Sequence, residues 1–118
     1  MTNEDDDDDG IFESSASKDP RYSAVFEDDG EVAYGYLVRD GEILSHVWLY
    51  NDDDAATRFS PVLDGDEVSF VWAYGEGGVP VAVEFWIRGR LHARVAPNSN
   101  PGWCILALED GPLARKLE

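Results

Sequence analysis

From Tyr22 onward, apolar and polar residues alternate with a period of two, and turn residues interrupt the alternation at short intervals. Such alternation places successive side chains on opposite faces of a pleated strand. It predicts strands over about 21–27, 31–39, 42–50, 67–74, 79–87, 90–96 and 102–109. Asp29-Gly30, Asp40-Gly41, Gly75-Glu76-Gly77-Gly78 and Arg88-Gly89 separate them, each with the glycine that a tight turn requires. Residues 51–65 read as a long loop around Pro61, with room for one helical turn at 54–58, and 97–102 as a second loop. A helical period is conceivable only at 112–117. Hairpins this close in sequence imply antiparallel pairing. The predicted fold class is therefore all-β, an antiparallel sandwich or a small open barrel of about seven strands.

Hairpin parity predicts which residues share a face, because a slip of one residue turns every side chain over. A two-residue Asp40-Gly41 turn pairs Arg39 with Glu42 and sets Val32, Tyr34, Tyr36 and Val38 beside Leu49, Val47, Ser45 and Ile43. A three-residue loop, Asp28-Asp29-Gly30, pairs Glu27 with Glu31 and brings Tyr22, Ala24 and Phe26 to the same tyrosine-rich face, read as core, with periodicity alone leaving open which face another layer covers. The opposite face then carries Ser23, Gly35 and His46 in one row with Trp48 beside them, the outline of a shallow groove. At Gly89, a loop of Ile87-Arg88-Gly89 pairs Trp86 with Arg90, puts Glu84 beside His92, and puts Ala82 beside Arg94.

Charge narrows the partners. The chain of 118 residues has a formal net charge of −16, of which −7 falls in residues 1–19 and −9 in residues 20–118. Such a surface repels nucleic-acid phosphates and anionic lipid, so neither nucleic acid nor membrane is an expected partner. It attracts basic proteins and cations. The run Asp5-Asp6-Asp7-Asp8-Asp9 repels itself and has nothing to bury, so residues 1–19 read as a disordered acidic tail and 20–118 as one all-β domain. A single cysteine, the absence of a long apolar run and a polyaspartate N-terminus point to the cytoplasm.

Little in the sequence promises chemistry. Asp52-Asp53-Asp54 and Asp64-Gly65-Asp66-Glu67 are loop acids without calcium-loop spacing. His46, His92 and Cys104 lack the spacing of a zinc site or of a nucleophile with its base, and Cys104 alternates with Leu106 and Leu108 as a buried small residue would. No catalytic residues, metal or cofactor are expected. The informative feature is the stripe Arg88, Arg90, His92 and Arg94 beside Trp86, a basic island on an acidic body. Arginine reads carboxylates with two parallel bonds, so the stripe is a candidate anion contact. Its structural alternative is cross-strand pairing with Glu84 and stacking of Arg90 on Trp86.

Phe26-Glu27-Asp28-Asp29-Gly30-Glu31 followed by Tyr34 and Tyr36, together with Gly89, His92-Ala93 and Gly102-Trp103-Cys104, resembles a family of small bacterial all-β proteins of unknown function over about residues 21–105. The chain departs from that pattern at Arg94-Val95-Ala96 and after Cys104. The resemblance implies a compact β fold and brings no activity or site residues. The expected function is thus a non-enzymatic acidic interaction module for a basic protein, of which an antidote to a basic effector is one form. The alternative is a small-molecule-binding β domain using Trp86, Arg90 and Arg94 or the groove of Ser23, His46 and Trp48. Oligomeric state is open.

Overall fold

The computed structural model describes residues 10–52 and 59–117. The expected polyaspartate run and helical turn at 54–58 lie outside them. The strands are β1 (Ile11–Ala16), β2 (Tyr22–Asp28), β3 (Val32–Arg39), β4 (Glu42–Asn51), β5 (Val68–Tyr74), β6 (Pro80–Ile87), β7 (Arg90–Ala96), β8 (Ser99–Cys104) and β9 (Arg115–Lys116). They form two sheets, β1-β2-β3-β4 and β5-β6-β7-β8-β9, antiparallel except for the parallel β8–β9 pair. The sheets pack face to face as an open sandwich rather than a closed barrel. Among the described residues no helix is long and apolar enough to cross a membrane.

The core lies between the sheets. Ala24, Phe26, Leu37, Val47 and Leu49 come from the first sheet, and Val83, Phe85, Ala93, Val95 and Cys104 from the second, all fully buried. Phe85 meets the first sheet at Gly35, where an added Cβ would lie 2.8 Å from the ring tip. Burying one such ring stabilises the fold by about 2–3 kcal/mol.

Several expectations change. Residues 11–16 are not part of a disordered tail: β1 pairs with β2, from Ile11 opposite Asp28 to Ala16 opposite Ser23. The Trp72 indole N–H donates to Ser15 Oγ at 3.0 Å, and the Lys18 N–H donates to the Tyr74 hydroxyl at 3.0 Å, so the arm is tied to the second sheet as well. The last predicted strand ends early at Cys104, where the Ala107 N–H turns back onto the Cys104 carbonyl at 3.2 Å. Ser99 already belongs to that strand, and the region of the conceivable helix contains the short strand β9.

Two registers differ from hairpin parity. Tyr22 lies opposite Arg39 and Asp28 opposite Ala33, so the first loop is longer than three residues. Asp29 explains this: its Oδ1 accepts from the backbone N–H groups of Glu31 and Val32 at 2.9 and 3.0 Å, stabilising the wider turn. In the second hairpin Arg39 does pair with Glu42 and Val38 with Ile43. A bulge at Leu44 then shifts the pairing, setting Tyr36 opposite His46 and Tyr34 opposite Trp48. Both slips are odd. Ala33, Gly35 and Leu37 therefore face the core, and Tyr34 and Tyr36 face outward. The expected tyrosine core face is corrected.

Candidate functional site

The expected basic island does not assemble beside Trp86. Arg88 and Gly89 make a two-residue turn that pairs Ile87 with Arg90, so Trp86 faces Leu91 and not Arg90. A bulge follows, and past it Phe85 pairs with Ala93 and Glu84 with Arg94. The Trp86 indole N–H donates to Glu84 Oε1 at 2.9 Å. Arg88 is drawn into the fold: its guanidinium donates to Glu67 and to the Ser60 carbonyl and lies 5.2 Å from the Phe59 ring centre. That bond holds the Glu67 carboxyl below its ordinary range. Arg90 is exposed at the turn. Arg94 instead stacks over Trp103, 4.9 Å from its ring centre.

His92 sits at the bulge and turns inward, 1% exposed. Its Nε2 lies 2.8 Å from the Leu49 carbonyl oxygen, and Cys104 Sγ lies 3.4 Å from the same oxygen and 3.8 Å from Nε2. A carbonyl only accepts, so Nε2 carries the proton and cannot take one from the thiol. Burial pushes the imidazole pKa down and the thiol up to about 11. The pair is thus arranged as two neutral donors sharing one acceptor, opposite to a thiolate held by an imidazolium. Its spacing of adjacent strands was not legible from the chain, because the bulge alone turns His92 inward. A thiol with this pKa has about a hundredfold less thiolate at neutral pH than a free cysteine. Labelling of Cys104 in the native protein should accordingly be slow and should track unfolding. Rapid labelling at neutral pH would contradict the assignment.

The Ser23, Gly35 and His46 row is also taken apart. Gly35 points into the core, Ser23 lies opposite Val38, and His46 lies opposite Tyr36. The outer face of the first sheet has different rows. Phe12, Glu27, Tyr34 and Trp48 align across β1 to β4, and Ser14, Val25, Tyr36 and His46 align beside them. No position in these rows is lysine or arginine. The Tyr34 and Tyr36 rings stack with centres 6.2 Å apart, and Phe12 is 63% exposed. Burial raises the Tyr36 hydroxyl pKa, and the negative charges of Glu27 and Asp29 add to the rise.

Trp48 links this face to a groove. Its backbone N–H donates to the Leu113 carbonyl at 2.9 Å, which seats the C-terminal segment along β4, and its indole N–H donates to Asn51 Oδ1 at 2.9 Å. Val32, Tyr34 and Trp48 form one wall, Leu106, Leu108 and Leu113 the other, with Glu109 at the rim, around an open groove of about 550 Å³. Leu108 is 90% exposed. Of the residues singled out by sequence, only Trp48 lines it. Sequence alternation places Tyr34 in the core, and Leu106 and Leu108 in a strand. The missed signal is the pair Ile43-Leu44, two adjacent apolar residues inside an alternating run.

A buried polar cluster lies at the end of the same sheet. The Tyr50 hydroxyl donates to Asp28 Oδ2 at 2.6 Å and accepts from the Val62 N–H at 3.1 Å, and Asp28 Oδ1 accepts from the Gly30 N–H at 2.9 Å. Asp52 lies within hydrogen-bonding reach of Asp28, and its Oδ1 is buried without a partner among the described residues. Two carboxylates can bond each other only through a proton. Burial, then Asp28, push the Asp52 pKa up to about 7. Among the described residues no three His, Cys, Asp or Glu side chains gather in a metal-ligating cluster.

Compared with protein-family models, with curated proteins and with solved structures, the chain finds no match in any of the three.

Proposed function

We propose that this chain is a protein-interaction module whose outer first-sheet face and adjoining groove receive a basic protein partner with apolar anchors. The observation that carries the reading is the run of Phe12, Tyr34, Trp48 and Leu108 along one outer surface, Phe12 and Leu108 exposed and the two between them half-buried, on a chain of net charge −16. Exposed aromatic side chains supply contact area at low entropic cost, and they anchor interfaces in desolvated pockets. Glu27 between the rings and Glu109 at the rim set the sign of the partner. The remaining acids raise the rate of encounter with a cation and repel acidic competitors. A basic effector neutralised by this module fits that class, and the cytoplasm suits a chain with one cysteine. The groove volume by itself also suits a small ligand.

The test is a titration with a synthetic peptide alternating lysine and leucine, set against one alternating glutamate and leucine. The lysine peptide should move the Trp48 indole N–H resonance to saturation with a strong dependence on salt, and the glutamate peptide should leave that resonance in place. Leu108→Ser, at a position too exposed to matter for folding, should weaken binding by about tenfold, the equivalent of roughly 1.4 kcal/mol. Equal shifts of that resonance by both peptides, or none by the lysine peptide, would contradict the reading.

A further inference from the structure

The second sheet presents an outer face of opposite character. One row crosses its five strands: Val71, Glu84, Arg94, Trp103 and Arg115. Arg94 and Arg115 stand on the strands either side of Trp103, about 10 Å apart across two strand spacings. Both side chains lean over the strand between them. Their guanidinium carbons lie 4.9 and 5.9 Å from the Trp103 ring centre.

These two arginines differ from the others that the fold engages. On so acidic a chain, carboxylates are abundant, and among the described residues ion pairs take up Arg21 and Arg88. Arg94 and Arg115 have neither an ion pair nor a side-chain hydrogen bond there, although both are half-buried. The carboxylate nearest by register, Glu84 opposite Arg94, has an oxygen engaged by the Trp86 indole. A guanidinium stacked on an indole keeps its N–H edge free, and that edge matches an oxyanion. Each of the two guanidiniums therefore lies against the Trp103 ring with no protein acceptor for its N–H edge among the described residues.

We propose that Arg94, Trp103 and Arg115 form an oxyanion site, with the indole as floor and the two guanidiniums as donors to a carboxylate or a phosphate group. The site lies on the second sheet, away from the aromatic face of the first, and it stands or falls independently of the basic-partner reading. It also gives Arg94 the anion-reading role that its place in the sequence stripe suggested, with Trp103 and Arg115 in place of Trp86 and Arg90.

The experiment is a titration of the full chain with inorganic phosphate and, separately, with acetate, at ionic strength held constant with sodium chloride. The readout is the Trp103 indole N–H resonance, assigned by its loss in Trp103→Phe. Saturation by both anions establishes a general oxyanion site, saturation by phosphate alone assigns it to phosphate, and saturation by acetate alone assigns it to carboxylate. Arg94→Gln and Arg115→Gln should each weaken binding by about tenfold, and the exposed Arg39→Gln on the other sheet should leave it unchanged. Arg94→Lys, which keeps the charge and packing stem but loses the fork, should fall between wild type and Arg94→Gln and guards against a folding artefact. A shift that stays linear with both anions, or a double glutamine variant that saturates like the wild type, overturns the proposal.

Discussion

Gly102→Ala is expected to lower stability by about 2–4 kcal/mol, the upper range for a single added methyl in a packed interior. The reason is what the methyl would meet. An ideal Cβ at Gly102 would stand 2.3 Å from the Arg94 carbonyl oxygen and 2.7 Å from Val95 Cγ1. The first of these is backbone, held in the β7–β8 pairing, and cannot rotate away. The pairing is irregular at this point, with a register shift between Arg94 and Ala96. At Gly35 the obstacle is the Phe85 ring, 2.8 Å away, so Gly35→Ala should cost less, about 1–3 kcal/mol. Gly111→Ala serves as the control, since its nearest neighbour would be at 3.9 Å. Thermal and denaturant unfolding of the three variants measure this directly. A Gly102→Ala protein within about 0.5 kcal/mol of wild type would show that β7 and β8 do not approach this closely at Gly102.

Asp52→Asn is expected to stabilise the protein above neutral pH and to do little in acid. The folded state raises the Asp52 pKa to about 7 from an ordinary value of 3.8. A carboxyl whose pKa is higher in the folded than in the unfolded state binds its proton more tightly when folded. Its stabilising contribution is full below about pH 4 and is lost as pH rises toward and through about 7. A shift of this size sets a ceiling of about 4 kcal/mol. Water reaching the exposed part of Asp52 reduces the expected loss to about 1–2 kcal/mol. Asparagine keeps a donor toward Asp28 at every pH and has no proton to lose. His92 works in the opposite sense, because its lowered pKa favours the folded state above the ordinary imidazole range and withdraws that support in acid. The difference between wild type and Asp52→Asn, measured by melting from about pH 5 to about pH 8, isolates the carboxyl. A difference that stays flat across that window would show that Asp52 ionises freely in the fold.

The strands were legible because each needs only local alternation and a turn. Asp40-Gly41 even fixed the first two pairs of its hairpin, Arg39 with Glu42 and Val38 with Ile43. What failed was everything that depends on counting past an irregularity. Leu44 sits in a bulge, and Asp29 stabilises a wider turn, so two odd slips turned β3 over relative to β2 and β4, whose core faces were read correctly. Periodicity records which residues alternate, and it carries no mark of which face another sheet will cover. The strand β1 was hidden for a different reason. Along Ile11–Ala16 the large apolar Phe12 is exposed while Glu13 is half-buried, so the alternation runs against the usual rule. The parallel β8–β9 pair joins Trp103 to Arg115, a contact of only two residue pairs that no local pattern encodes. The candidate sites inherit these errors. Trp48 and Arg94 were found, but their neighbours Tyr34, Leu108, Trp103 and Arg115 were assigned elsewhere.

The proposed surface for a basic partner is the outer face of the first sheet. The four indole N–H groups test it, because each has its own setting. Trp48 donates to Asn51, Trp72 to Ser15 and Trp86 to Glu84, and Trp103 lies between two arginines. Following all four resonances while the lysine–leucine peptide is added shows which face it occupies. With the peptide on that face, Trp48 shifts to saturation while Trp72, Trp86 and Trp103 stay in place. A saturating shift at Trp86 or Trp103 with Trp48 unmoved would put the partner on the other sheet and contradict the proposal.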